Sequence, residues 1–166
     1  DRVGLYFPEF GSAPRASGVL YDRKNSAIAA IQPGMINWDN AFAGSKWFHL
    51  TGILPALSAS AAATTLESCQ AAKKHGLKVS MDLNYRAKLW TGAEAGACLG
   101  KLMEYCDLLV TTEEDIEKVF GIKGSTYEVA AAKVCDKFGV KKIAITLREN
   151  PLVWLNDWTA ILWQPS

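Results

Sequence analysis

The chain has 166 residues and a formal net charge of +1, which is enough for one domain of ordinary size and gives no bias toward a polyanion such as nucleic acid. Hydrophobic residues make up 49% and charged residues 21%, a balance that supports a buried core and argues against intrinsic disorder. No apolar run approaches the ~18 residues of a spanning helix, so no membrane partner is expected.

From residue 3 onward the hydrophobic period switches between two and about 3.6, the signature of strands alternating with helices. Segments 3–7, 18–22 and 26–30 are short β-type runs separated by Gly11, Pro14 and the Arg23-Lys24-Asn25 turn, and they predict a small antiparallel meander. After the Gln32-Pro33-Gly34 breaker, Asn37 is placed to cap a short helix through Phe42, and 46–51 reads as a buried strand. Ser58 opens a helix to about His75, closed by Gly76, and 77–83 returns as a strand. A helix over 93–105, a strand over 107–111, helices over 113–120 and 126–138, and a strand over 141–147 follow, with Gly121 and Gly139 at the last two helix ends. Runs 152–155 and 158–163 flank Asn156-Asp157 as a hairpin.

Strand–helix–strand units of this length require parallel pairing with right-handed crossovers. The expected fold is therefore α/β: a doubly wound, mostly parallel sheet over 33–166 with helices on both faces, preceded by the small antiparallel sheet over 1–32. The chain begins at Asp1 without an initiator Met, so it is expected to be part of a longer reading frame.

In open α/β sheets, ligands bind beyond the carboxyl ends of the strands. Thr51 and Gly52 follow one strand; Asp82, Asn84, Tyr85 and Arg86 follow the next; Thr111 to Asp115 and then Thr146, Arg148 and Glu149 follow the other two. The opposite ends carry ordinary Gly and Lys turns, and that asymmetry predicts a site at the carboxyl edge. Thr112 to Asp115 also matches a helix capping box, a role compatible with ligand binding. Arg86 and Arg148 are the guanidinium groups in position to hold an anion. His49 lies in an apolar run and reads as a satisfied core histidine rather than a base. The six tryptophans are scattered, with packing as their default role.

Cys69, Cys98, Cys106 and Cys135 are separated by 29, 8 and 29 residues, without a CxxC pair or a His in ligand spacing. They predict free thiols, no zinc and a reducing compartment, the cytoplasm. There is no GxxxxGK[ST] loop, no GxGxxG turn and no GxSxG elbow, so a Walker-type NTPase, a dinucleotide dehydrogenase and an elbow hydrolase are unsupported.

Five strings, in order, carry a resemblance: Gly4-Leu5-Tyr6-Phe7, Val19 to Ala27, Trp47-Phe48-His49-Leu50-Thr51-Gly52-Ile53, Asp82-Leu83-Asn84-Tyr85-Arg86 with its Lys88-Leu89-Trp90 continuation, and Ala144 to Glu149. Over nearly its whole length the chain resembles the 2-keto-3-deoxygluconate kinase branch of the ribokinase-like (PfkB) sugar kinases. The resemblance implies transfer of the γ-phosphoryl of ATP, with Mg²⁺, to the terminal hydroxyl of a 2-keto-3-deoxy sugar acid. It places Tyr6, Tyr21 and Arg23 on a lid over the sugar and Arg86 at the acid end of the substrate. Asn84 would lie near the transferred phosphate, Thr112 and Asp115 in the metal–phosphate water network, and Thr146 and Arg148 beside the nucleotide. It further implies a homodimer paired through the lid sheet.

Two departures stand out. The family's Asn-x-x-Glu motif appears as Thr112-Glu113-Glu114-Asp115, with its first and fourth members replaced. A Gly-Gly sugar-binding motif is expected before Asp1, and a Gly-Ala-Gly-Asp segment carrying the catalytic base after Ser166. No catalytic residue or metal ligand is therefore assigned within the chain, which is expected to be the central part of the kinase, inactive alone and prone to self-association through uncovered surfaces. The competing expectations are a kinase of the same fold for a neutral sugar or nucleoside, and a non-catalytic remnant.

Overall fold

A computed structural model describes residues 2–12, 14–152 and 154–165. The first thirty residues form a two-stranded hairpin, β1 (Leu5–Glu9) and β2 (Gly18–Asp22), antiparallel with Tyr6 opposite Tyr21. The expected third strand over 26–30 is instead a 3-10 turn, Ala27–Ala30. Ser26, nearly fully buried, donates its hydroxyl to the Arg23 carbonyl at 2.8 Å and its own carbonyl accepts from Ala29 N–H, so the local hydrogen bonds close into a turn rather than a ladder.

The rest alternates: α1 (Trp38–Phe42), β3 (Trp47–Thr51), α2 (Ala59–Lys74), β4 (Lys78–Asp82), α3 (Gly92–Met103), β5 (Leu108–Thr111), α4 (Glu113–Phe120), α5 (Tyr127–Phe138), β6 (Lys142–Leu152) and β7 (Leu155–Trp163). Side-chain oxygens cap five of these helices. Asn37 accepts from Asn40 N–H, Ser58 from Ala61, Thr112 from Asp115 and Thr126 from Val129, while Thr91 and Glu94 form a reciprocal capping box that the periodicity alone did not reveal. Gly121 and Gly139 end α4 and α5 in the left-handed conformation, with φ of 66° and 70°.

Strands β3 to β7 form one sheet in sequential order, parallel from β3 to β6, with β7 antiparallel to β6. The α/β, mostly parallel architecture is as expected. Because the order never reverses, right-handed crossovers carry α2 through α5 to the same side. The helices touch one another in succession, and Leu50, Val79, Met81, Leu109, Ile143 and Ile145 face them as the buried core. The helices of this chain thus occupy one face of the sheet, not both faces as expected, because the strand order never reverses. The other face presents Trp47, His49 and Leu162 to solvent, and Trp47 Nε1 and His49 Nδ1 both meet the Ser80 hydroxyl at 2.8 Å. His49 is therefore satisfied, but it lies on an open face rather than in the core.

The C-terminal hairpin exists with a different turn. β6 extends to Leu152, and Asp157, expected in the connection, pairs inside β7 opposite Glu149. A register shift between Glu149 and Leu152 moves the turn to the segment before Leu155, where Val153 lies outside the described residues.

Candidate functional site

The carboxyl ends of β4, β5 and β6 open into a cleft of about 970 Å³. Asn84, Arg86, Thr112, Asp115, Thr146 and Arg148, singled out from the sequence because each follows a strand, all line it. Tyr6, Tyr21 and Arg23 stand elsewhere, on the hairpin. The tyrosine rings are 6.4 Å apart on one face and the Arg23 guanidinium lies 4.0 Å from the Tyr21 centroid, but none of the three lines the cleft.

The loop after β4 is held tightly. Gly52 donates its N–H to the Asp82 carbonyl at 2.8 Å, and Leu83 N–H donates to Val110 at 3.0 Å. Asn84 has φ of 43°, a left-handed conformation unusual outside glycine. Its N–H donates to Asp82 Oδ1 and its Nδ2 to Thr51 Oγ1, each at 3.1 Å. Across the cleft, Thr112 caps α4, whose first turn holds Glu113, Glu114 and Asp115 where the helix dipole favours negative charge. Thr146 Oγ1 donates to the Thr111 carbonyl at 3.3 Å.

Six carboxylates line the cleft against two guanidiniums. Burial, the largest influence, pushes both Asp82 and Asp115 above the usual carboxylate range. The Asn84 and Tyr85 amides and the Arg86 charge pull against that rise. A polyphosphate could enter so acidic a rim only with its charge neutralised. Among the described residues no three His, Cys, Asp or Glu converge on a metal position. The donor set nevertheless fits Mg²⁺, which keeps several waters and needs only one or two carboxylates when it arrives with phosphates.

A model of the pfkB family of carbohydrate kinases matches residues 17–165. The chain belongs to that family. A 2-dehydro-3-deoxygalactonokinase of Haloferax volcanii is 34% identical over 149 residues, covering 90% of this chain and 46% of that protein. A 5-dehydro-2-deoxygluconokinase of Bacillus licheniformis is 33% identical over 128 residues, 76% of this chain and 38% of its own. Among solved structures, the 2-dehydro-3-deoxygluconokinase of Thermotoga maritima superposes with a TM-score of 0.93 at 38% identity, over 99% of this chain and 51% of that one. This pfkB chain spans about half the length of the relatives it matches. Enzymes of the family are ATP-dependent phosphotransferases acting on sugars.

Sequence reasoning missed part of the lining. Trp158, read as a packing residue, is 64% exposed on β7 and carries the Arg148 guanidinium 5.4 Å from its ring centroid. Trp47 and Trp154 are exposed as well, whereas Trp38, Trp90 and Trp163 pack against the core. Arg148 Nε donates to Asn150 Oδ1 and Asn156 Oδ1, both at 2.8 Å, an arrangement that exists only once the register of β6 and β7 is known. Tyr127 and Asp157 also line the cleft; the alternation of β7 was the signal for Trp158, and nothing local marked Tyr127. The cysteines are free, and burial pushes the Cys69 thiol up to about 11 and the Cys106 thiol up to about 12, so both are inert. No helix of the described residues is long and apolar enough to cross a membrane.

Proposed function

We propose that this chain is the central portion of an ATP-dependent kinase that phosphorylates the terminal hydroxyl of a 2-keto-3-deoxy sugar acid, such as 2-keto-3-deoxygluconate. The observation that carries this reading is the convergence of Asn84, Arg86, Thr112, Asp115, Thr146 and Arg148 on one cleft from three strand ends. Arg86 binds the substrate carboxylate, to which a planar guanidinium can give two parallel hydrogen bonds. On the other side Thr112, Asp115, Thr146 and Arg148 border the nucleotide, with Asn84 between the two halves near the phosphate in transfer. Mg²⁺, when bound, neutralises phosphate charge at the acidic rim. The relatives named for keto-deoxy sugar acids support this substrate class.

Phosphoryl transfer depends on positioning and charge stabilisation, and the general base and anion hole are proposed to come from residues outside 1–166. The chain alone is then inactive. The bare sheet face is where further helices of the longer protein would pack, and β3, at the edge of the sheet, is where its amino-terminal strands would join. The lid supports a homodimer: one face carries Tyr6 and Tyr21 for the sugar, while Leu5, Phe7 and Leu20 form an exposed apolar patch on the other, suited to the lid of a second copy. Free thiols, three of the four buried, fit the cytoplasm.

A chimera tests the reading. This chain replaces its structural counterpart in the Thermotoga maritima enzyme, and phosphorylation of 2-keto-3-deoxygluconate, fructose and ribose is compared in a coupled assay. Turnover favouring the keto acid, with that preference lost in Arg86→Ala, supports the proposal. A preference for neutral sugars supports the neutral-sugar kinase instead, and a folded chimera without turnover on any sugar supports a non-catalytic remnant.

A further inference from the structure

The loop after β4 hangs from contacts on both sides of the cleft. The left-handed Asn84 costs free energy that the surroundings must offset. On the β3 side, Thr51 Oγ1 accepts from Asn84 Nδ2. On the α4 side, Tyr85 N–H donates to Asp115 Oδ2 at 3.2 Å, a reach of thirty residues along the chain. Arg86 Nη1 in turn donates to the Tyr85 carbonyl at 3.0 Å, so the guanidinium takes its direction from the backbone of the residue that Asp115 holds. The Tyr85 hydroxyl donates to the Trp90 carbonyl at 3.2 Å, which pins the far side of the same residue. Among the described residues, only the Asp115 hydrogen bond crosses from the loop to the helix bordering the nucleotide half.

We propose that Asp115 is a positioning residue for the acid-binding arginine: its Oδ2 fixes the Tyr85 amide, and through it the direction in which Arg86 presents its guanidinium to a substrate carboxylate. This rests on the reading of Arg86 as the acid anchor. It gives the fourth residue of the Thr112–Asp115 turn a role toward the sugar acid that is separate from any role toward metal or phosphate. The shorter Asp side chain, standing where the family motif has Glu, is already occupied at one oxygen by the backbone across the cleft.

The test is calorimetric titration of the chimeric kinase, in which the flanking segments are present, with 2-keto-3-deoxygluconate in buffer free of nucleotide and divalent metal, paired with residue-resolved amide exchange. Without metal, a role confined to metal binding is silent. Asp115→Ala is expected to weaken the acid about tenfold and to speed exchange at Tyr85 by a similar factor, the size of one hydrogen bond, with exchange in β3 and β5 unchanged. In Asp115→Asn the amide oxygen still accepts the bond, and both quantities are expected within about threefold of the unaltered chimera, the difference between a charged and a neutral acceptor. Equal losses in the two variants, or unchanged Tyr85 exchange in Asp115→Ala, overturn the proposal. A chimera with Arg86 and Asp115 intact that binds no keto acid while exchange follows the stated pattern refutes the reading of Arg86 and supports the clamp itself.

Discussion

Replacing Gly52 by Ala probes the packing that shapes the cleft. A Cβ at Gly52 would stand 2.1 Å from the Leu83 carbonyl oxygen, 3.1 Å from its carbon and 3.3 Å from Leu99 Cδ1. An ordinary carbon–oxygen contact is about 3.3 Å, so the two loops must part by roughly 1 Å. Leu83 cannot simply retreat, because it is fully buried and its N–H is bonded to Val110. The separation must also stretch the Gly52 N–H bond to Asp82. Overpacking against fixed backbone costs about 2–3 kcal/mol. In a chain of this length each kcal/mol moves the melting temperature by about 2–4 °C, so a fall of roughly 5–10 °C is expected. Thermal unfolding of the chain by circular dichroism measures it, with Gly18→Ala as the control: nothing lies within 4 Å of a Cβ there, and its Tm is expected to stay within about 2 °C. If Gly52→Ala melts with Gly18→Ala, the close approach of the two loops is wrong, and with it the account of how Asn84 is held.

Three further outcomes are expected. In the chimeric kinase, Arg86→Ala should raise KM for the keto acid about 10- to 100-fold while leaving neutral sugars unaffected, and Arg86→Lys should fall between, since it keeps the charge but not the fork. Urea unfolding should place Asn84→Gly close to the unaltered chain and Asn84→Val about 1–3 kcal/mol below it, because a β-branched side chain resists φ of 43°. Asp107 sits at the opposite edge of the sheet. Burial raises its pKa, but the Lys73 ammonium, the Val79 N–H and the charge of Lys78 together hold it below the ordinary value. With the folded-state pKa depressed, its contribution is complete above the unfolded value of about 3.9 and fades as pH falls through the folded one. Urea midpoints of the chain and of Asp107→Asn should therefore differ at pH 7 and converge under acid; a constant gap would refute the ion-pair account.

The helices and strands were legible because their signals are local. Ser58, Thr112 and Thr126 sit at helix starts, Gly121 and Gly139 at helix ends, and apolar residues keep one period until the next breaker. The rule that ligands gather beyond strand ends named eleven residues of the cleft from the order of elements alone, among them Asn84, Arg86, Thr112 and Arg148. Two local readings failed where a competing hydrogen bond or an added residue decided the outcome. Ser26 bonds back to Arg23 and turns a β-type run into a 3-10 turn, and the register shift after Glu149 moves the last hairpin's turn past Leu152.

What the residues decided by themselves is the inventory: which segments become strands, where the helices start and stop, and which polar groups stand just beyond each strand. Tertiary structure alone decided the partnerships, namely Asp115 with the Tyr85 amide, Arg148 between Asn150 and Asn156 over Trp158, and Gly52 against Leu83. It also placed every helix on one side of the sheet. The physical reason is range. Caps and periodicity act within a few residues and leave their mark on composition, whereas a contact between positions thirty residues apart is set by strand order, crossover hand and register, which no single window of sequence contains.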